Sequence, residues 1–119
     1  MATNKQSRVA TLVRDRALSY PQTKETFPWG EHAFKVKEKT FVFMRDDDKD
    51  SCFSVKLSDS RASALRLPGA EPTHYGMGAK GWVTIPLSSK IPAKTLYALI
   101  DESFRAVAPK MALKALDAK

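Results

Sequence analysis

A chain of 119 residues, 43% hydrophobic and 28% charged, has the size and composition of one ordinary folded domain with its own core. The single Cys52 excludes an internal disulfide. No 18-residue apolar run and no leader-like apolar stretch occurs, so neither a membrane span nor secretion is expected and the cytoplasm is the expected compartment. The net charge of +7 is diffuse: residues 1–48 hold nine Lys or Arg against seven Asp or Glu and residues 49–119 eleven against six, a balance that attracts polyanions without specifying one.

Thr3-Asn4-Lys5-Gln6 has the form of a capping box, and the helix it opens puts Val9, Leu12, Val13 and Ala17 on one face. Tyr20-Pro21 ends it, because the residue before proline avoids the helical region. Residues 21–31 read as a loop in which Trp29 is an aromatic available to cover a core edge or stack a base. Ala33 to Lys37 and Thr40 to Met44 then read as a hairpin reversing at Glu38-Lys39. Strict alternation puts Phe34 and Val36 on one face of the first strand, Lys35 and Lys37 on the other, and Phe41 with Phe43 on one face of the second.

Asp46-Asp47-Asp48-Lys49-Asp50 lacks the glycine and glutamate of a calcium loop, having Ser51 and Leu57 at those positions, and reads as a solvated turn. Ser51 to Leu57 alternates again, with Phe53, Val55 and Leu57 opposite Cys52, Ser54 and Lys56. Ser58-Asp59-Ser60 supplies capping chemistry for a short helix to about Arg66, with Ala62 and Leu65 inward, and Leu67-Pro68-Gly69 stops it. Thr73-His74-Tyr75 reads as an edge strand before a glycine-rich loop that runs through Lys80 into a strand from Trp82 to Ile85. Gly76, Gly78 and Gly81 match the letters of a dinucleotide fingerprint, but a strand follows where that motif must open a helix. Pro92 opens the cleanest amphipathic helix, with Leu96, Leu99, Ile100, Ser103, Phe104 and Val107 in one stripe, and Pro109 starts a last short helix.

No spacing of His32, His74 and Cys52 suits a metal, and nothing singles out a catalytic serine. Asp101 and Glu102 adjoin on a helix and point apart, so the chain is read as a non-enzyme without a cofactor. What remains is basic residues beside aromatics: Lys35, Lys37, Lys56 and Lys80, with Arg61 and Arg66 on the short helix and Trp82 as a plug or stacking residue. A sheet face so equipped binds phosphates and stacks bases. On composition alone a merely solvated sheet face is the favoured reading; with the family resemblance given below, duplex DNA becomes the expected partner of a monomer. A module for protein or small ligands, its charge serving solubility, is the alternative. An enzyme at the glycine-rich loop is a third and weaker reading, for which a deep pocket holding His74 beside a carboxylate would be the sign.

The segments FPWGEHAFKVKEKTFVFM, FSVKLS, HYGMGAKGWVTIPL and IPAKTLYALIDESFRAVAPK together resemble the MmcQ/YjbR family of small bacterial proteins over nearly the whole chain. Ser54-Val55-Lys56-Leu57 and Lys80-Gly81-Trp82-Val83 carry most of the likeness. Phe104 stands where the family usually has Tyr, and the stretch from His74 to Lys80 is longer and richer in glycine than the family's. The resemblance implies an α+β domain with a curved antiparallel sheet backed by N- and C-terminal helices, like CyaY and double-wing DNA-binding domains. It also carries that group's DNA-binding label. An iron role, which the CyaY likeness would bring, wants an acidic first helix; here Lys5, Arg8, Arg14 and Arg16 face a lone Asp15.

Overall fold

The computed structural model describes residues 5–27, 31–45, 51–74, 76–88 and 91–118, with side chains from residue 8 onward. The capping box at Thr3, the aromatic Trp29, the acidic run 46–50 and Tyr75 lie outside the described residues, apart from the backbone of the first helix from Lys5. The chain runs through α1 (Lys5–Leu18), β1 (Thr23–Thr26), β2 (His32–Val36), β3 (Lys39–Arg45), β4 (Cys52–Lys56), α2 (Arg61–Leu65) and β5 (Glu71–Pro72). A single 3-10 turn (Gly78–Lys80), β6 (Trp82–Pro86), α3 (Ala93–Val107) and α4 (Lys110–Asp117) complete it. The strands form one antiparallel sheet in the order β1-β2-β3-β4-β6-β5. This is the expected α+β architecture.

Helices α1, α2 and α3 lie against one face of that sheet. The stripe of α3 crosses β3 and β4, α1 lies beside it over β1 and β2, and α2 meets β6. Between the layers sit Val13 and Ala17 of α1, Phe34 and Val36 of β2, Phe53 and Val55 of β4, Val83 and Ile85 of β6, and Leu96, Ile100 and Phe104 of α3, all fully buried or nearly so. Apolar burial on this scale, at about 25 cal/mol per Å², is what opposes the entropy of ordering the chain. Tyr20 stacks on Phe104 with centroids 4.4 Å apart, and Phe41 meets both rings edge-on.

Besides the edge strand, which is Glu71–Pro72 and does not run from Thr73, several expectations need correction. Residues 23–26 form a strand rather than a loop, pairing with β2 from Thr23 opposite Val36 to Thr26 opposite Ala33. The segment TKET has no apolar alternation because it is an outer strand that buries little. The hairpin reverses one residue earlier than expected: Lys37 and Glu38 both have positive φ (49° and 69°), the pair of left-handed residues that makes a two-residue turn match the twist of its strands. Lys37 is therefore a turn residue and not a strand residue.

The third correction lies in β3. Its register against β2 slips, with Phe34 opposite Val42 but Lys35 opposite Thr40, so Phe41 is the extra residue of a β-bulge. Phe41 and Val42 are both fully buried, whereas Phe43 is on the other face with only part of its surface covered. Strict alternation cannot survive a bulge, which is why Phe41 and Phe43 do not share a side.

The interruption is repaired from the helix layer. The Ser103 hydroxyl of α3 donates to the Phe41 carbonyl (2.5 Å) and accepts from the Lys56 backbone N–H (2.8 Å), so one buried side chain satisfies two ladder groups that the bulge parts. A second helix-borne group stands in for the predicted cap of α2. Ser60 makes no side-chain cap; instead Glu102 of α3 accepts the backbone N–H groups of Ser58 (2.8 Å) and Ser60 (3.2 Å). Burial opposes the ionised Glu102, but those amide hydrogen bonds and the Ser60 side chain hold its carboxyl below the usual range. Within α2 it is Ala64 that turns inward, not Ala62.

Candidate binding face of the sheet

The uncovered face is defined by register. Lys24 pairs with Lys35, Phe43 with Ser54, Ser54 with Thr84, Thr84 with Glu71, Arg45 with Cys52, Cys52 with Pro86, and Lys56 with Trp82. Paired residues share a side, and these are on the side away from the helices. The expected opposition of Cys52, Ser54 and Lys56 to Phe53, Val55 and Leu57 holds. Among these residues the face has two different ends.

At the end where β2 turns into β3, the antiparallel strands bring together Lys24, Lys35 and Lys56, with Lys37 in the turn itself. Lys80, exposed on the 3-10 turn just before β6, joins the same end. Adjacent strands are about 4.8 Å apart, so Lys24, Lys35 and Lys56 span about 14 Å across the sheet. Lys24 pairs with Glu38 at 2.7 Å, and that pairing, with Lys35 nearby, holds the Glu38 carboxyl below its usual range. Lys37, Lys56 and Lys80 make no ion pair among the described residues.

The remaining predicted site residues are placed differently. Trp82 is on the uncovered face but only 8% exposed, its ring tilted against Phe43 with centroids 5.4 Å apart. It is the plug of a small second core and offers no free ring to a base. Arg61 opens α2 and Arg66 follows its last residue, in the helix layer. Arg61 donates to the Gly78 carbonyl at 3.3 Å, tying α2 to the 3-10 turn, and Arg66 is exposed on that layer. Gly81 serves packing: a Cβ there, where φ is +100°, would come 2.4 Å from the Leu57 carbonyl oxygen, and the Gly81 carbonyl accepts the Leu57 N–H at 2.9 Å. As the sequence indicated, β6 and not a helix follows.

Several arginines elsewhere are engaged. Arg14 reaches Glu25 (3.2 Å), which also meets His32; Arg16 lies over the rings of Tyr20 and Tyr97; Arg105 bridges Asp101 and Asp117. Asp101 and Glu102 do point apart, toward Tyr20 and toward the start of α2.

At the opposite end of the same face lies a cavity of about 420 Å³ that the sequence did not disclose, since its walls come from four strands, from Glu31 just before β2 and from the segment after β5. Phe43, Met77 and Pro86 supply apolar walls. Ser54, Thr84 and Thr73 form a hydroxyl chain with contacts of 2.8 and 2.9 Å. An ion pair, Glu31 with Arg45 (3.8 Å), and a contact of Glu71 with His74 (3.2 Å) stand at its sides. His74 beside a carboxylate at a pocket is the arrangement named for the enzyme reading, but the two side chains are 73% and 55% exposed, a solvated rim rather than a water-excluded centre. Among the described residues no three His, Cys, Asp or Glu converge as metal ligands, and no helix is long and apolar enough to cross a membrane.

Comparison with known proteins gives a family and a fold. A protein from Pseudomonas syringae superposes with a TM-score of 0.62 at 20% identity, over 87% of this chain and 97% of its own. The Deinococcus radiodurans protein DR2400, with a DUF419 domain, superposes with a TM-score of 0.70 at 25% identity, over 88% of this chain and 85% of its own. No curated protein matches. The family model YjbR matches residues 18–106, from the end of α1 through α3, and the chain belongs to the YjbR family.

Proposed function

We propose that this protein is a non-enzymatic, cytoplasmic DNA-binding module of double-wing type that acts as a monomer and holds duplex phosphates with the lysine-rich end of its uncovered sheet face. The observation that carries the reading is the register: Lys35 and Lys56 share that face, and Lys24, Lys37 and Lys80 lie at the same end. Flexible ammonium groups spread over about 14 Å match a phosphate backbone better than a compact anion. Trp82 serves here by fixing the sheet under Lys56 rather than by stacking, and Arg61 and Arg66 take no part. With few groups to read base edges, binding is expected to be insensitive to sequence.

The test is fluorescence anisotropy of a labelled duplex over a salt series. Saturable binding that weakens steeply with salt supports the reading, with the log–log slope falling by roughly one for each of Lys35→Ala and Lys56→Ala. Arg66→Ala, in the other layer, should leave the slope unchanged. Flat anisotropy at low salt, or equal losses for all three variants, overturns it.

A further inference from the structure

The cavity on the uncovered face begins close to the lysines. Its floor starts at Ser54 and Thr84, paired neighbours on β4 and β6, and the next pair on the same side is Lys56 with Trp82. Two residues of strand separate the pairs, about 7 Å. A phosphate held at Lys56 therefore has the cavity floor within reach of its own nucleotide.

The lining suits an uncharged, flat group. Phe43, Met77 and Pro86 supply apolar surface, and Phe43 is fixed in place by its packing against Trp82. The rim adds little selection for charge: Arg45 has Glu31 and a further interaction, Glu71 touches His74, and these side chains are substantially exposed to water. What remains to fix an occupant is the hydroxyl row. Three hydroxyls carry three hydrogens, and the contacts Ser54–Thr84 and Thr84–Thr73 use two of them. One hydrogen is left to donate, lone pairs are left to accept, and rotation of the hydroxyls changes which oxygen does which. Such a row meets an edge that mixes donors and acceptors. The polar edge of a nucleobase has that character, and its π-face packs on aromatic and thioether side chains. A volume of about 420 Å³ has room for a base with its sugar.

We infer that the cavity receives one unpaired nucleobase, its polar edge on Ser54, Thr84 and Thr73 and its face against Phe43 and Met77. The choice of a nucleobase rests on the proposed binding of DNA by the lysine end. A base inside a duplex must be unpaired and unstacked before it can enter, a cost that a bulged base has already met. The occupant is therefore a base that is already extrahelical. Because the hydroxyls satisfy either a donor or an acceptor, purines and pyrimidines are both accepted.

Two measurements on the intact protein test this. The first compares, by anisotropy, labelled duplexes that are fully paired, that carry one bulged nucleotide, or that carry the same bulge without its base. The bulged duplex should bind about tenfold more tightly than the paired one, and the abasic bulge should return to the paired value. Thr84→Val, which removes the centre of the hydroxyl row, should weaken binding of the bulged duplex about fivefold and leave the paired duplex unchanged. Should that variant not fold, the abasic comparison makes the same test on wild-type protein. The second titrates uncharged nucleosides and follows the amides by NMR, with saturable shifts of Ser54, Thr73 and Thr84 expected at millimolar ligand. Where duplexes bind, equal affinity for bulged and abasic forms overturns the inference and leaves the phosphate reading in place. Nucleosides that do not move those amides also overturn it. Nucleosides that saturate the cavity while no duplex binds support the site and overturn the phosphate reading instead.

Discussion

Tyr20 shows how one side chain ties the N-terminal helix to the rest of the molecule. It is buried, stacks on Phe104, donates its hydroxyl to Asp101 at 3.1 Å and receives Arg16 at 3.3 Å. Burial chiefly, and then the negative charge of Asp101, push its phenol up to about 12 against the partial opposition of Arg16. A phenol whose folded value lies above its unfolded value of 10.0 contributes stability that is complete below pH 10 and is lost as pH rises through about 12. Alkaline absorbance titration should therefore show one tyrosine ionising late, and Tyr20→Phe should abolish that late step. Asp101→Asn should only reduce the displacement, because burial is the larger cause. A single tyrosine wave near pH 10 in the wild-type protein would show that Tyr20 is not held in this way.

At the level of elements, the bulge in β3 and the hydroxyl of Ser103 are one device. If Ser103 is what permits Phe41 and Val42 to face the core together, Ser103→Ala leaves the Phe41 carbonyl and the Lys56 N–H without partners. The expected cost is about 1–3 kcal/mol in denaturant unfolding, the penalty for orphaned buried groups. Ser103→Cys keeps the volume but bonds weakly and should fall between; an alanine variant as stable as wild type would remove Ser103 from this role. The same element marks how far the sequence could be read. Helices were legible because α1 and α3 carry apolar residues at helical spacing, and β4 was legible because Cys52 to Lys56 alternates without interruption. β1 was not, because TKET buries too little to need an apolar pattern, and the face of Phe43 was not, because the bulge shows only in the register of the hairpin and is met by Ser103 of α3, distant in sequence. The lysine end was half legible: Lys35 and Lys56 follow from alternation, but the positions of Arg61 and Arg66 depend on which layer receives α2. The cavity was not legible, since Glu31, Arg45, Ser54 and Thr84 meet only through pairing order.

For the whole molecule, concentrating lysines at one end of the sheet carries a consequence in the absence of any ligand. Lys35 and Lys56 lie two strands apart, about 10 Å, near the Debye length at 0.1 M salt. Like charges at that separation in water repel by about 0.4 kcal/mol, and the other lysines at this end add to it within a chain of net charge +7. If these residues serve a partner rather than the fold, removing one of them relieves repulsion. Lys35→Gln and Lys56→Gln should each raise the free protein's stability by a few tenths of a kcal/mol at low salt, an advantage that fades as salt is added. The same substitutions should weaken duplex binding, so stability and affinity move in opposite directions. Thermal unfolding at two salt concentrations measures the first and anisotropy the second. Variants that lose stability at low salt would mean that Lys35 and Lys56 support the sheet itself, and the uneven charge would then be a feature of folding rather than a place where another molecule sits.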